Sequence, residues 1–424
     1  MLKYLRNAAL ALALASGAPA LAQSPAPAAP ESAREIAGLS LDRLARLPAV
    51  LQAAIERGRI PGAVVLVARD GKVALFEAVG FRDKAANAPM AKDAIFRIYS
   101  MTKPITSVGV MMLVEEGRVL LADPISKHLP ELKGMRVGIE KPGADGKHAL
   151  ELVPALREMT VQDLLRHTSG LAYPTRRYPL IREAYIAVRP LDRDQTMAGM
   201  LAKIATLPLA HQPGTTWEYS ISTDVLGALI ERVSGRTLEE FVAARITKPL
   251  GMNDTGFVVP EPKHGRIAEP LPLDPDSKQR IQLIDVTKPV RFYSAGGAMV
   301  STAADYLRFC QMLLNGGTLD GVRLLGRKTV EYMTSDHLPA IARTPDYFPG
   351  YGYGFGLGFA VRTEAGVDDT PGSVGDYYWS GYASTFFWVD PKERLIGVFM
   401  TQAPNAVDHY ASLMRNIVYG AVLR

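Results

Sequence analysis

Two β-rich stretches stand at opposite ends of this chain, and neither hairpin would be stable in water alone, so a fold must bring them together. "AVVLVARDGKVALFEAVG", residues 63–80, sets Asp70-Gly71 between two runs of β-branched and aromatic residues, a strong short hairpin signal. Near the other end, "ASTFFWVD" and "RLIGVFMTQ" flank Pro391-Lys392-Glu393 and read as a second hairpin. Just before it, "GYGYGFGLGF" alternates glycine at 350, 352, 354, 356 and 358 with bulky residues, a period of two that predicts one strand with a bare face open to close approach. The region from 101 to 290 differs, with helical stretches "TVQDLLRHTSG", "TDVLGALIERVSG" and "TLEEFVAARI" joined by proline-containing loops. Each stretch begins with a threonine able to cap a helix, and two run into Ser-Gly. The pattern predicts an α+β fold, an antiparallel sheet built from both chain ends and flanked by helices, with a helical insertion region.

Further helices are expected where Leu41, Leu44, Leu47, Leu51 and Ile55 recur at helical spacing before Gly58, and over residues 406–423. No repeat of 20 to 50 residues is found, which disfavours a propeller or solenoid. The expected organisation is a sheet domain from 36–100 and 291–424 around a helical domain at 101–290.

The N-terminus has a different character. Lys3 and Arg6, then the apolar run Ala8 to Ala15, then Ala20-Leu21-Ala22 fit a secretory signal over residues 1–22, with cleavage before Gln23. "QSPAPAAPESA" continues as a Pro/Ala-rich tether over 23–35. Export to a periplasm or the extracellular space is the expectation, with no integral membrane segment once the signal is removed.

Composition narrows the function classes. Net charge is +5, but the basic residues are interspersed with acids, with no run beyond Arg176-Arg177, so a nucleic-acid surface is not expected. The seven histidines never show a metal-binding spacing such as H-E-x-x-H, and neither a metal nor another cofactor is expected. The single cysteine, Cys310, sits in the apolar helical run "DYLRFCQMLLNGG" and reads as a small core residue.

The chemistry begins in "FRIYSMTKPITSVGVMMLVEEG", where Ser100 precedes Lys103 by three residues. Pro104 is tolerated only in the first turn of a helix, and Val108, Met111, Met112 and Val114 continue that helix as an apolar one, so Ser100 falls at its start. Residues three apart share a face, which brings the lysine within reach of the serine hydroxyl. A helix N-terminus and an apolar setting both favour the uncharged, proton-accepting form of such a lysine. The same backbone N–H groups can stabilise an oxyanion. A serine N-cap followed by a solvated lysine is the bland alternative. Further along, "TTWEYSISTDVLGALI" sets Tyr219-Ser220 just before a helix, and "YYWSGYAST" precedes a C-terminal strand. "LLRHTSGL" and "SAGGAMVSTAADYLRF" complete the ordered set.

With these motifs, from about residue 40 to 424, the sequence resembles the serine hydrolases of the penicillin-binding-protein and class C β-lactamase type, most closely the family VIII carboxylesterases. The resemblance implies a β-lactamase/transpeptidase-like fold, with Ser100 as acylated nucleophile, Lys103 as its base partner and Tyr219 as the catalytic tyrosine. It also implies that Trp379-Ser380-Gly381 is the third motif and that the N–H of Tyr382 joins that of Ser100 as oxyanion donor. Lys103 and Tyr219 would share the serine proton, their order left open. Lactamases usually carry Lys-Thr-Gly where this chain has Trp379-Ser380-Gly381, and their second motif often ends in asparagine where this chain has Ile221. An indole cannot attract a carboxylate as an ammonium does, so small neutral esters are the expected substrates.

Three functions are carried forward: an esterase working through an acyl-enzyme on Ser100; a β-lactamase, D-amino-acid peptidase or acyltransferase of the same fold; and a non-catalytic ligand-binding protein. His167 reads as a structural hydrogen-bonder, because no G-x-S-x-G elbow exists for a triad to use, and His409 reads as a surface residue. The loops 134–158, 172–195 and 259–291 are expected to wall the pocket. Oligomeric state leaves no mark in the sequence.

Overall fold

Pairing between the two ends of the chain builds the sheet. In the computed structural model its strands are β1 (Gly62–Arg69), β2 (Lys72–Asp83), β3 (Ala88–Pro89), β4 (Tyr353–Phe355), β5 (Ala360–Arg362), β6 (Tyr377–Ser380), β7 (Phe386–Asp390) and β8 (Leu395–Met400). Their order is β4-β5-β6-β7-β8-β1-β2-β3, with every neighbouring pair antiparallel. The structure describes residues 34–142, 148–174, 178–338, 341–345, 347–404 and 406–424. The expected signal, nearly all of the tether and the Arg176-Arg177 pair lie outside the described residues.

Asp70 and Gly71 join β1 to β2 with φ of 51° and 72°. Both values are positive, as a two-residue turn matching the strand twist requires. Register then fixes the two cores. On β1, Val64 and Leu66 face one side and Val65 and Val67 the other, and β8 places Val398 opposite Leu66 and Phe399 opposite Val65. Every one of these side chains is buried, so a slip of one residue would exchange two complete apolar sets. Helices α1 (Arg46–Glu56) and α5 (Val407–Tyr419) cover one face through Leu47, Leu51, Met414 and Val418. The larger core on the other face holds α2 (Thr102–Glu115), α3 (Ser222–Ser234) and α4 (Ala303–Leu314). Helix α2 is buried from Thr102 to Leu113, so it is wrapped on all sides and presents its N-terminus to the sheet. Among the described residues no helix is long and apolar enough to cross a membrane.

The local expectations fare unevenly. The N-terminal helix is broken at Ala45 into Leu41–Leu44 and α1. Thr160 and Thr237 cap their helices with full capping boxes, but α3 begins at Ser222 and has no side-chain cap, so Thr223 is inside it. Gly235 ends α3 in the left-handed conformation as expected, whereas the helix before "RHTSG" stops at Leu165, so Gly170, although its φ is 86°, lies beyond the helix end, and His167 also takes positive φ. The "GYGYGFGLGF" run is not one strand: only 353–355 pair, and the chain folds back into β5 through Gly358, whose φ is 101°. Its bare face is nevertheless used for close approach, since a Cβ on Gly356 would lie 2.1 Å from the Met333 carbonyl oxygen. Cys310 is buried in α4, as its apolar surroundings implied.

One buried ion cluster fastens α5 to the sheet. Asp376, 0 % exposed, accepts from Arg362 Nε at 2.8 Å and from both Nη atoms of Arg415 at 3.1 and 3.2 Å. Asp376→Ala would leave the buried Arg415 guanidinium without its carboxylate and Arg362 with Asp368 alone, and should cost about 3–5 kcal/mol. Equilibrium denaturation measures this, and a loss below about 1 kcal/mol would mean that the cluster contributes little.

Candidate active site

The turn before α2 is held in a conformation that no single local preference would give. Tyr99 has φ of 42°, the left-handed region that bulky residues avoid. The surroundings enforce it. Ile98 donates its N–H to the Met299 carbonyl (3.0 Å), Thr385 Oγ1 donates to the Ile98 carbonyl (3.2 Å), and the Tyr306 hydroxyl donates to the Met101 carbonyl (2.9 Å). Ser100 therefore sits in a short 3₁₀ turn, Tyr99–Met101, that runs directly into α2. Pro104 falls in the first turn of that helix, as the sequence required.

Lys103 is 1 % exposed and reaches back one turn. Its Nζ lies 3.2 Å from Ser100 Oγ, 3.2 Å from the Tyr173 hydroxyl and 2.7 Å from the Gly296 carbonyl. A charged ammonium donates to all three, whereas an uncharged amine donates to the carbonyl and keeps a lone pair for a hydroxyl proton. The Gly296 loop is positioned in turn by Asp224 in the first turn of α3, whose Oδ1 accepts from Ser294 Oγ (2.6 Å) and from the Gly296 N–H (3.1 Å). Burial raises the Asp224 pKa, against the opposing pull of the Lys103 charge and these hydrogen bonds.

Tyr219 lines the same cavity, with its ring over the lysine at 4.7 Å from Nζ to centroid. Its hydroxyl is buried and has no hydrogen-bond partner among the described residues. The tyrosine that bonds Lys103 is Tyr173, which follows "HTSGLA" and was not singled out from the sequence. His167 holds the Tyr219 turn through Ser220: its Nδ1 lies 3.2 Å from Ser220 Oγ, which is 2.6 Å from Ser222 Oγ, itself 2.8 Å from Ser169 Oγ. Burial, then the Lys103 charge, lowers the His167 pKa well below its usual value, so this ring is a neutral scaffold, in keeping with its structural reading.

The third motif closes the site from the sheet. Trp379 and Ser380 end β6, and Gly381 lies against the Ser100 turn so closely that a Cβ would clash with the Ile98 carbonyl oxygen. The Gly381 N–H is bound to the Thr385 carbonyl (2.8 Å), while the next N–H, on Tyr382, has no acceptor among the described residues. Trp379 is buried among Tyr219, Phe348 and Phe355, with ring centroids 5.1 to 5.5 Å away. Tyr382 is 56 % exposed at the mouth and packs edge-on against Tyr99.

All seven residues singled out for the site, Ser100, Lys103, Tyr219, Trp379, Ser380, Gly381 and Tyr382, thus converge, and all but the buried Lys103 line one cavity of about 640 Å³. That volume suits a small molecule. Of the three loops expected to wall it, 172–195 contributes Tyr173, Leu191 and Arg193, and 259–291 contributes Ile284. The first instead forms a hairpin, Arg136–Pro142 with His148–Pro154, away from the cavity. His409 is exposed, outside this cavity. Among the described residues no group of three or more His, Cys, Asp or Glu is placed to hold a metal ion.

A strained serine turn on a buried helix, a lysine beneath it and the end of strand β6 beside it define a class, and comparison with known proteins agrees: the beta-lactamase family pattern matches residues 47–418, and the chain belongs to that family. Among proteins it is similar to, Esterase EstB of Burkholderia gladioli is 32% identical over 385 residues, covering 84% of this chain and 90% of that protein. Protein Rv1367c of Mycobacterium tuberculosis (strain ATCC 25618 / H37Rv) is 38% identical over 358 residues, covering 82% and 87%. Among solved structures, EstCE1, described as a hydrolase with promiscuous acyltransferase activity, matches with a TM-score of 0.75 at 28% identity, over 90% of this chain and 99% of that one. Simvastatin synthase LovD from Aspergillus terreus, at 23% identity and a TM-score of 0.72 over 89% and 98%, shares the fold.

Tyr173→Phe removes one of the three partners of Lys103 while keeping the ring. We expect kcat for ester hydrolysis to fall by about tenfold or more, with thermal stability little changed. Steady-state kinetics beside a melting curve checks this, and an unchanged kcat would reduce Tyr173 to a packing residue.

Proposed function

We propose that the protein is a serine carboxylesterase that cleaves small esters through an acyl-enzyme on Ser100. The coarser class, a serine enzyme of beta-lactamase type acting as hydrolase or acyltransferase, rests on family membership and on the resemblance to proteins named esterase and acyltransferase. The observation that carries the finer reading is the 3.2 Å approach of buried Lys103 Nζ to Ser100 Oγ at the strained entrance of α2.

In this mechanism Ser100 Oγ attacks the ester carbonyl carbon as its proton passes to Lys103. The carbonyl oxygen, now negative, is stabilised by the N–H groups of Ser100 and Tyr382. Collapse breaks the bond to the alcohol oxygen, and that oxygen takes a proton from the Tyr219 hydroxyl, which recovers one from Lys103 once the ammonium turns toward it from the Tyr173 hydroxyl. Water then attacks the acyl-serine by the reverse proton path and releases the acid. The free Tyr219 hydroxyl supports its assignment as the donor, since no protein group competes for it. Trp379 in place of a lysine supports esters over β-lactams, because an indole offers no cation for a lactam carboxylate.

Acyl transfer to an alcohol is the second reading, favoured by the half-exposed ring of Tyr382 at an open mouth where an alcohol could replace the incoming water. Export is likewise proposed, on the strength of the signal pattern at 1–22.

Wild type, Ser100→Ala and Lys103→Ala should be compared on p-nitrophenyl butyrate and on a chromogenic cephalosporin, with intact mass recorded and an alcohol acceptor added in a parallel series. Both variants should lose roughly 10³-fold or more in ester turnover, and only proteins retaining Ser100 should carry an acyl adduct. A Ser100→Ala protein with wild-type turnover would overturn the mechanism. Faster cephalosporin than ester cleavage would overturn the substrate assignment.

A further inference from the structure

One phenyl ring in the catalytic cavity is packed on some sides and bare on others. Phe348 lines the cavity together with Ser100, Tyr219 and Trp379, yet it is 49 % exposed. Its ring meets that of Tyr219 edge-to-face, 4.9 Å between centroids, and lies 5.1 Å from Trp379 and 5.7 Å from Trp217. The same side chain also lines a second cavity of about 220 Å³, so open space adjoins the ring where a buried phenylalanine would meet protein.

The chain on either side of Phe348 imposes this exposure. Before it, the Tyr347 ring packs against Trp217 at 4.7 Å, and its hydroxyl donates to the Tyr353 carbonyl (3.2 Å). After it, the Pro349 carbonyl accepts from the Tyr378 hydroxyl (3.2 Å), and the Gly350 N–H closes the turn on the Tyr347 carbonyl (3.2 Å). Phe348 is thereby held at the cavity without being drawn into the core. Bare apolar surface gains when an apolar ligand covers it, and a ring already fixed in place loses little freedom in doing so. Leu191, Ile284 and Val407 add aliphatic lining to the same cavity, in keeping with an apolar ligand.

The position of the ring tells which half of an ester it meets. In the mechanism above the leaving alcohol oxygen takes its proton from Tyr219, so the alcohol half departs beside the ring that Phe348 touches. Aromatic rings attract one another edge-to-face or in offset stacks, beyond the gain from burial alone. We propose that Phe348 is a binding platform for the alcohol half of the substrate, and that the preferred substrates are neutral esters of aromatic or similarly broad apolar alcohols. This rests on the esterase reading and deepens it by naming the half of the ester that is recognised. The other exposed ring at the mouth, Tyr382, packs on Tyr99 and belongs to the residue whose N–H is assigned to the oxyanion, so Phe348 offers the cleaner test.

The test uses two isomeric esters that carry the same phenyl ring on different halves, 2-phenylethyl butanoate and ethyl 4-phenylbutanoate, with ethyl butanoate as the common reference. Acid release gives kcat/KM for wild type and Phe348→Ala, and division by the reference removes any loss transmitted through Tyr219. We expect wild type to prefer 2-phenylethyl butanoate to the reference, and Phe348→Ala to lower that preference by roughly fivefold or more, with the ratio for ethyl 4-phenylbutanoate changed by less than about twofold. A ratio for 2-phenylethyl butanoate that the substitution leaves unchanged or raises overturns the platform and leaves the esterase reading intact, as does a wild type without that preference. An equal or larger fall for ethyl 4-phenylbutanoate overturns the assignment to the alcohol half. Wild type that turns over none of the three esters overturns the esterase reading and the platform with it. Should Phe348→Ala fail to fold by circular dichroism, Phe348→Leu, which keeps apolar bulk but loses the flat ring, decides in its place: the preference should fall in the same direction, and a wild-type ratio overturns the proposal.

Discussion

The antiparallel seam between β1 and β8 is the contact on which the site depends. It joins strands from the two ends of the chain, and its register decides which face of the sheet receives α1 and α5 and which receives the helical core. Through β7, the same seam sets where β6 ends, and hence where Trp379, Ser380 and Gly381 meet the turn of Ser100. The geometry of the site is long-range: the turn of Ser100 precedes the helical region, strand β6 with the third motif follows it, and only strand pairing brings them together. A hairpin alone would be marginal, but β1 and β8 are buried on both faces and continued on both sides, which supplies the burial that a lone hairpin lacks.

That rigidity bears strain at the point where chemistry would occur. Tyr99 keeps a positive φ because its neighbours are bonded on both sides, Ile98 to Met299 and Thr385, and Met101 to Tyr306. Gly381 complements it, since any side chain there would push the third motif off the Ile98 carbonyl and open the gap between the Tyr382 N–H and the serine. The buried lysine is tolerated for a related reason: three oxygen partners replace its water, and the carbonyl among them comes from a loop fixed by Asp224. Electrostatic preorganisation of this kind is built by folding and need not be assembled during the reaction.

The parts legible in the sequence are those with a local physical signature. Asp70-Gly71 forced a hairpin, Pro104 placed a helix start, and one turn of helix put Lys103 under Ser100. The sheet assembled from both ends followed from where β-rich runs lay. What escaped depends on contacts distant in sequence. Nothing in "HTSGLAY" says that Tyr173 will reach Lys103, seventy residues before it. Asp224 carried a weak signal, a carboxylate in the first turn of an otherwise apolar helix, yet its partner loop is at 294–296. The glycine alternation at 350–359 was read as one strand because period two is a strand signal, whereas the positive φ at Gly350, Gly352 and Gly358 uses those glycines to turn the chain.

The third motif carries Trp379 and no cation, and this changes the surroundings that a reacting carbonyl would meet. A cation beside the third motif would act close to the reacting carbonyl, where charge develops, and would influence the transition state directly. Trp379 removes that influence and surrounds Tyr219 with aromatic rings, a setting of low polarity in which an oxyanion relies on backbone N–H groups and on Lys103.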